Sequence, residues 1–389
     1  MASSEGNSTN GRVAQSSRSG RAESAALVDV CMLKRPMLAH GTSDAHAFIE
    51  AVRRHRVAPL AHVALRSAEP EVAAALKPDR DEAMTRHLSA GIVLSALSEL
   101  LDGLPWAVFK GPVLSEHAHP APGLRSYHDV DVVVSPSQLR EVASRLASAG
   151  WDVIDYTDML TNPDPPGEMH WVSPTGILVD LHWSMINMAT TRQLFSVPTD
   201  ELLERRVQGS IGLSSAWMLD PVDAVVHTCL HAALTGADRM LLLLDADQLA
   251  RRVTDWDDVV TRARTWNAAP ALAIVLARAR SLLGTPLPDD LDRELGSSAG
   301  FRLVTGTVDR LMPVSSLRRD ASFPRLVARS AHPSSGRTLA AVGRRSLRGV
   351  TQRLGVTRVP SPPAHRQPAD ARALEKYLRA VESQAGTPA

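Results

Sequence analysis

Two acidic residues stand two positions apart at the start of an apolar run, in the segment DVDVVV at 129–134. Side chains alternate across a strand, so Asp129 and Asp131 share one face. Neighbouring carboxylates repel each other, and burial makes each of them more costly. A divalent cation removes that repulsion, and Mg²⁺ takes oxygen ligands while sharing other positions with water and substrate phosphates. The pair therefore predicts a metal site or, at a solvent-facing strand end, two hydrated acids.

A third carboxylate and two cations stand in the same region. Asp180 lies within the apolar run ILVDLHW, where a lone buried acid is unexpected and a turn is disfavoured, so it is predicted to complete the metal site. Lys110 follows the apolar strand AVF and is either a phosphate ligand or an ordinary surface lysine. Arg125 precedes Asp129 in a loop and is predicted to bind phosphate, although it could instead pair with a carboxylate across its loop.

The histidines near these acids have more than one interpretation. His182 lies two residues after Asp180 and therefore on the same strand face, while Leu181 points the other way. It could orient a carboxylate, contact a bound substrate or simply be a packed histidine. His227 and His231 are four residues apart on one helix face, but no Glu follows His227, so packing is favoured over metal binding.

The stretch from Trp106 to Trp183 is predicted to form a small α/β unit with a mixed sheet. Short apolar runs predict strands, and the amphipathic segment at 137–149 predicts a helix on the back of the sheet. The turn SPTG at 173–176 predicts a hairpin that carries Asp180 on its second strand. The other predicted strands are WAVF at 106–109, DVDVVV at 129–134 and WDVIDYTD at 151–158.

The chain on both sides of this unit is predicted to be helical, which gives an α+β fold class. Apolar residues recur at helical spacing from about Ser43 to Leu104 and again from Asp220 to about Leu311. In the second region, Asp245 and Asp247 are predicted to bind backbone or a histidine between domains. The predicted divisions are a disordered leader (1–42), an N-terminal helical segment (43–104), an α/β core (105–212), an all-helical domain (213–330) and a largely mobile Arg/Pro-rich tail (331–389).

Composition limits the class of protein. A chain of 389 residues with 44% apolar residues is long enough for two domains. The net charge of +1 makes nucleic acid an unexpected partner, although the segment from Ala321 to Ala369 contains Arg and no Asp or Glu. Cys31 and Cys229 form no disulfide framework and predict a reducing cytoplasm. No stretch approaches the roughly 18 consecutive apolar residues of a membrane helix, so no membrane partner is expected.

Four short motifs occur in order: FKG at 109–111, PGLR at 122–125, DVD at 129–131 and VDLHW at 179–183. Together they resemble the bacterial group of uncharacterised nucleotidyltransferases, within the superfamily that includes DNA polymerase β. The segments LHAAL and LLLLDADQLA are similar to the C-terminal helices of that group, so the resemblance covers roughly Ser43 to Leu311. The superfamily usually has Gly-Ser ahead of the paired acids, whereas here Gly111 precedes Pro112, which has neither a hydroxyl nor a backbone N–H.

The resemblance implies a Mg²⁺-dependent transfer of a nucleoside monophosphate from an NTP to an acceptor, with Mn²⁺ as an alternative cation. Asp129, Asp131 and Asp180 are then the catalytic and metal-binding residues, and Asp180 is also a candidate general base. The residues expected to bind the nucleotide are Lys110, Gly111 and Arg125. The acceptor is not specified: a small molecule, a sugar or a peptide, including a role in natural-product tailoring, fits equally well.

A second class of function stays open from the sequence. A non-catalytic protein of this fold could bind a nucleotide or a partner protein, and Gly111 followed by Pro112 favours that interpretation. Three retained acids favour the enzyme instead, because a binding protein has little need for converging carboxylates. A nucleic-acid-binding protein with a basic tail is a weaker third class, since no helix-hairpin-helix or finger motif is present. The sequence predicts no oligomeric state.

Overall fold

The computed structural model describes residues 24–36, 38, 42–316, 322–331 and 367–385. Most of the segment predicted to be an Arg/Pro-rich tail, and the first part of the predicted leader, therefore lie outside the described residues. Within the described part of the chain, no helix is long and apolar enough to cross a membrane.

Four helices precede the sheet: α1 (24–31), α2 (Thr42–Arg54), α3 (Ala58–Leu65) and α4 (Pro70–Leu100). The prediction of a disordered leader over 1–42 does not hold for α1, because Leu27 and Val30 recur at helical spacing and are fully buried. A proline occupies the first turn of both α3 and α4, where its missing N–H leaves no backbone hydrogen bond unmade.

A seven-stranded mixed sheet forms the centre of the molecule, in the order β3-β4-β5-β2-β1-β7-β6. Its strands are β1 (Trp106–Phe109), β2 (Val130–Val134), β3 (Asp152–Val153), β4 (Glu168–Val172), β5 (Leu178–His182), β6 (Val207–Ile211) and β7 (Ser214–Met218). β2 is antiparallel to β1 and parallel to β5, and β7 joins β1 in parallel. Because β2 begins at Val130, Asp129 lies just before this strand, and only Asp131 of the DVD motif lies within it.

Two regions of the sheet differ from the sequence prediction. The strand predicted at 151–158 is only two residues long, because the Asp155 side chain accepts the His170 backbone N–H and so replaces a ladder hydrogen bond. The hairpin of β6 and β7 spans the predicted domain boundary at 212, so the sheet continues to Met218. Its partly exposed, Ser- and Gly-containing strands lack the apolar pattern that marks the central strands.

The two faces of the sheet pack against different helices. Val130, Val132 and Val134 contact a core built with α4 and with α6 (Leu139–Ser148), which follows a 3₁₀ turn at Pro136–Gln138. On the other face, Phe109 and Val133 belong to the core of the helical domain. Alternation along β2 therefore directs Val130, Val132 and Val134 to one face, and Asp131 and Val133 to the other, toward the helical domain.

Short helices connect the strands, and longer ones form the helical domain. The connecting helices are α5 (Gly111–His117), α7 (Thr157–Leu160), α8 (Ala189–Arg192) and α9 (Thr199–Glu204). The domain contains α10 (Pro221–Thr235), α11 (Met240–Ala250), α12 (Trp256–Thr265), α13 (Ala269–Leu283), α14 (Leu291–Glu294), α15 (Ala299–Leu311) and α16 (Ser322–Arg329). Asp220 caps α10 through hydrogen bonds to the N–H groups of Val222 and Asp223.

The last described helix, α17 (Ala371–Ala385), packs on the α/β core. The Tyr377 hydroxyl accepts a hydrogen bond from Trp183 Nε1 at 2.8 Å, and Arg140 pairs with Glu375. The segment predicted as a tail thus contains a helix that is anchored on the sheet. The fold-class prediction is confirmed: a mixed sheet with helices is flanked by an N-terminal helical segment and a C-terminal all-helical domain.

Candidate functional site

Asp131 and Asp180 face each other across the parallel strands β2 and β5, where they are Cα partners in the ladder. Both are buried, with 5% and 8% of their surface exposed. Ligand atoms of Asp131, Asp180 and His182 all lie within 4.8 Å of one another. Oδ1 of Asp180 is buried and has no hydrogen-bond partner. An unpaired carboxylate oxygen beside a second carboxylate fits a site that a hard divalent cation completes.

Asp131 already has two cationic or hydrogen-bonding neighbours. Its Oδ1 accepts from Lys110 Nζ at 2.8 Å and from His182 Nε2 at 3.1 Å. Burial by itself raises the pKa of Asp131, but the Lys110 charge and the His182 hydrogen bond outweigh it and hold the pKa well below its usual range. Nδ1 of His182 lies 3.2 Å from Oε2 of Glu168 but has no hydrogen-bond partner. The ring thus lies between two carboxylates and bonds only Asp131, which fits the interpretation that it orients a carboxylate.

Asp129 is half-buried at the entrance to β2. It is outside the set of atoms that converge within 4.8 Å, but its charge acts on Asp180. Burial, followed by the negative charge of Asp129, raises the pKa of Asp180 to about 7. His170 acts in the opposite direction. Asp129 therefore lies at the edge of the cluster that Asp131 and Asp180 form.

Lys110 adopts an unusual backbone conformation directly after β1. Its φ of 53° and ψ of −116° suit glycine far better than a residue with a side chain. A non-glycine residue in such a region costs roughly 1–3 kcal/mol, and such residues cluster at functional sites. Gly111 follows, and a Cβ there would lie 3.0 Å from the Asp129 carbonyl oxygen and from the Tyr127 ring. This glycine lets the start of α5 approach the DVD segment closely.

Arg125 is paired with a carboxylate from another domain and not with one across its own loop. It donates to Asp245 of α11 from Nε at 2.9 Å and from Nη2 at 2.8 Å. Oδ1 of Asp245 also accepts from His119 Nε2 at 2.8 Å. Burial raises the pKa of Asp245, but the charge of Arg125 and the hydrogen bonds from His119 and Arg125 together outweigh burial and lower the pKa to about 2. The predicted contact of Asp245 with a histidine is present, whereas Asp247 bonds Thr285 and Arg251.

A cleft of about 280 Å³ opens between the sheet and the helical domain. Its walls include all the predicted site residues except His182: Lys110, Gly111, Arg125, Asp129, Asp131 and Asp180. The opposite wall comes from α10, α11 and the turn before α3. Thus the cleft contains both the carboxylates and a set of cations, within one continuous space.

Two arginines that the sequence did not single out also line the cleft, Arg56 and Arg239. Both are half-buried, and neither has an ion pair with another residue in the described ranges. Burial, and then the positive charge of Arg239, lower the pKa of Arg56. The backbone around them is fixed, since His55 accepts the Leu241 N–H through its carbonyl oxygen at 3.2 Å. Nothing in the local sequence pattern marks these arginines, because they come together only when the turn before α3 packs against the start of α11.

His227 and His231 belong to packing rather than to a metal cluster. The His227 ring lies 5.1 Å from the Phe109 ring, and the two histidine rings are 6.0 Å apart. Burial lowers the pKa of both rings, that of His231 to about 3, so both are neutral near pH 7. Neither belongs to a potential metal-binding group among the described residues. His231 nevertheless forms part of the cleft wall.

The site thus combines paired carboxylates on two central strands of an α+β fold with a cleft lined by arginine and lysine. A family model described as uncharacterised nucleotidyltransferase matches residues 41–284, which is more than half of the chain. The protein therefore belongs to this nucleotidyltransferase family, as the four motifs predicted. Comparison with curated proteins finds no similar sequence.

Proposed function

We propose that this protein is a metal-dependent nucleotidyltransferase that moves a nucleoside monophosphate from an NTP to an acceptor. The observation that carries the proposal is the pairing of Asp131 with Asp180 across β2 and β5, with one unpartnered buried oxygen, at the base of a basic cleft. Family membership supports the same reaction class. The acceptor hydroxyl would bond to the α-phosphorus, and pyrophosphate would leave.

In this proposal Asp129, Asp131 and Asp180 hold Mg²⁺, with Mn²⁺ as an alternative. The donor set fits, because all three offer carboxylate oxygens and the chain supplies no hydrogen bond to Oδ1 of Asp180. When bound, the cation supplies charge neutralisation at the α-phosphate and lowers the pKa of an acceptor hydroxyl. Asp180 lines the cleft and is also assigned the role of general base, which accepts the acceptor's proton.

Four cationic side chains are available for the phosphates. Lys110 bonds Asp131 and so lies where the α-phosphate would meet the carboxylates. Arg125 is held by Asp245, which fixes the direction of its guanidinium. Arg56 and Arg239 line the same cleft without an ion pair among the described residues, and they are assigned the outer phosphates. Fixed cations of this kind offset the charge that develops on a pyrophosphate leaving group.

Because Pro112 has no backbone N–H, the Gly111-Pro112 pair offers the nucleotide phosphates one hydrogen-bond donor fewer than the usual Gly-Ser. Lys110, which immediately precedes this pair, is assigned the missing phosphate contact. The acceptor is a small molecule, a sugar or a peptide, and we place the protein in the cytoplasm. The competing function is binding of a nucleotide without transfer, which the same cleft would also permit.

The test is incubation with each NTP, Mg²⁺ and a panel of hydroxyl acceptors, followed by mass spectrometry for the added nucleotide. Thermal melts with and without Mg²⁺ and NTP give a second reading that needs no acceptor. We expect wild type to be stabilised by metal and nucleotide together, because both bind only the folded state. Asp129→Asn should weaken that shift and abolish transfer, since an amide is a poorer ligand for a hard dication.

Asp152→Asn is the matched control, because Asp152 is an exposed acid on β3 outside the cleft. It should leave both nucleotide transfer and the metal-plus-nucleotide thermal shift unchanged. Equal metal-plus-nucleotide shifts in wild type and Asp129→Asn would mean that the acids are not the metal site. A nucleotide-dependent shift with no product from any NTP would favour the non-catalytic function.

A further inference from the structure

A second group of potential ligands lies on the other side of Asp180, toward β4. His170 is the Cα partner of Asp180 in the antiparallel β4–β5 ladder, and Glu168 is two residues before it. Period-two alternation puts Glu168 and His170 on one face of β4, the face that also carries Asp180. The carboxylate of Asp180 thus lies between Asp131 on β2 and His170 on β4.

The atoms of this group converge without bonding one another. His170 Nε2 lies 3.8 Å from Asp180 Oδ1 and 4.0 Å from Glu168 Oε1. These separations are too long for hydrogen bonds. Two ligands that each lie about 2.1 Å from one ion are roughly 3.0–3.5 Å apart at octahedral or tetrahedral angles, so a small closure would suffice. The oxygen nearest to His170 is the same Oδ1 of Asp180 that is buried without a hydrogen-bond partner.

The histidine is held in the orientation that a metal ligand requires. Its Nδ1 donates to Oδ1 of Asp155 at 2.6 Å, and its backbone N–H donates to Oδ2 of the same residue at 2.8 Å. The Asp155 side chain is only 3% exposed, so its position is fixed by packing. A carboxylate that binds one ring nitrogen of a histidine directs the other nitrogen to the metal, which is the usual support of a ligating histidine.

We propose that Glu168, His170 and Asp180 bind a first-row transition dication, for which Mn²⁺ and Zn²⁺ are the probes. One imidazole nitrogen with two carboxylates suits these ions, whereas Mg²⁺ prefers oxygen ligands alone. The inference rests on the proposed function in that Asp180 is shared with the Mg²⁺ site. A cation on the β4 side would fix the Asp180 carboxylate and offset its repulsion from Asp129 and Asp131.

The experiment measures metal binding without nucleotide. Metal-free protein is titrated with Mn²⁺ or Zn²⁺, and pulsed electron paramagnetic resonance of the Mn²⁺-loaded protein detects coupling to an imidazole nitrogen. Wild type is expected to show that nitrogen coupling, and His170→Gln is expected to lose both the coupling and the corresponding binding step. The matched control is His46→Gln, which alters an exposed histidine on α2 and should behave as wild type.

Asp155→Asn tests the orienting bond separately and should weaken Mn²⁺ binding by about 10- to 100-fold. If His170→Gln does not fold, Asp155→Asn tests the inference in its place. Unchanged Mn²⁺ affinity in Asp155→Asn would then overturn the inference. Unchanged affinity and nitrogen coupling in folded His170→Gln would likewise overturn it and leave His170 as an ion-pair partner of the acids. Loss of the Mn²⁺ step in His170→Gln supports the inference even if wild type transfers no nucleotide, so the two proposals fail independently.

Discussion

Arg125 and Asp245 form a buried two-point ion pair that joins the loop before β2 to helix α11, with hydrogen bonds of 2.9 and 2.8 Å. Their side chains are 9% and 3% exposed. This ion pair sets the distance between the carboxylates of the sheet and the helical wall of the cleft. Arg125 is thereby fixed before any ligand arrives.

Breaking this pair from one side is expected to destabilise the fold strongly. Asp245→Leu leaves the Arg125 guanidinium buried without a counter-charge, which costs about 3–5 kcal/mol. The double substitution Arg125→Met with Asp245→Leu removes both charges and should recover most of that loss. Urea unfolding of the three proteins measures the difference. If the double variant were no more stable than the single one, packing and not charge would explain the effect.

The backbone strain at Lys110 predicts different stabilities for two small substitutions. Lys110→Ala and Lys110→Gly both remove the ammonium group, but only glycine suits a φ of 53°. Lys110→Gly should therefore be the more stable of the two by about 1 kcal/mol, after allowing for the greater freedom of glycine in the unfolded chain. Both should lose nucleotide-dependent stabilisation. Denaturant unfolding checks the first statement, and equal stabilities would show that the strain is not significant.

Asp180 makes metal-free stability depend on pH. Its pKa is raised to about 7 in the folded protein, against roughly 4 in an unfolded chain, so its stabilising contribution is complete below about pH 4 and is lost as pH rises to 7. Asp180→Asn does not titrate and should raise the melting temperature at pH 8, by roughly 2–4 °C for each kcal/mol of repulsion removed. The gain should shrink toward pH 4. Melts of metal-free proteins across this range test it, and a gain that does not vary with pH contradicts it.

Arg56 and Arg239 are expected to bind nucleotide phosphates without contributing to the metal site. Arg56→Gln and Arg239→Gln should each raise the dissociation constant for an NTP about 10-fold or more, since a hydrogen bond to a charged group contributes roughly 1.5–3 kcal/mol. The effect should be smaller for the nucleoside monophosphate, which lacks the outer phosphates. Isothermal titration calorimetry with both nucleotides measures the ratio.

The control for these arginines is Arg66→Gln, at an exposed position that follows α3. It should bind NTP as wild type does, and Mn²⁺ affinity should be unchanged in all three variants. Equal weakening of NTP and monophosphate binding would contradict a role at the outer phosphates.

Local sequence pattern was sufficient for the main elements and for part of the site. Period-two alternation placed Asp129 and Asp131 on one face, opposite Val130, Val132 and Val134. The apolar surroundings of Asp180 predicted a buried acid, and the structure buries it. The order of the four motifs predicted the family. The strand faces and the burial of Asp180 are encoded by residues that are close together in the chain, so local periodicity reports them directly. The family was predicted from the motifs themselves and their order along the chain.

The pairing of distant residues was decided only by the tertiary structure. Sequence reasoning left the partner of Arg125 open, because Asp245 is 120 residues away and meets it only when α11 packs against the loop before β2. Arg56 and Arg239 line one cleft for the same reason, and Glu168 and His170 join Asp180 only through the β4–β5 register. The sequence by itself thus determined which residues lie on which face of the central strands β2 and β5 and of the main amphipathic helices. Long-range packing decided which faces meet and therefore which charged side chains share the cleft. Contacts between distant segments form only when the whole core is packed, and neighbouring residues do not determine them.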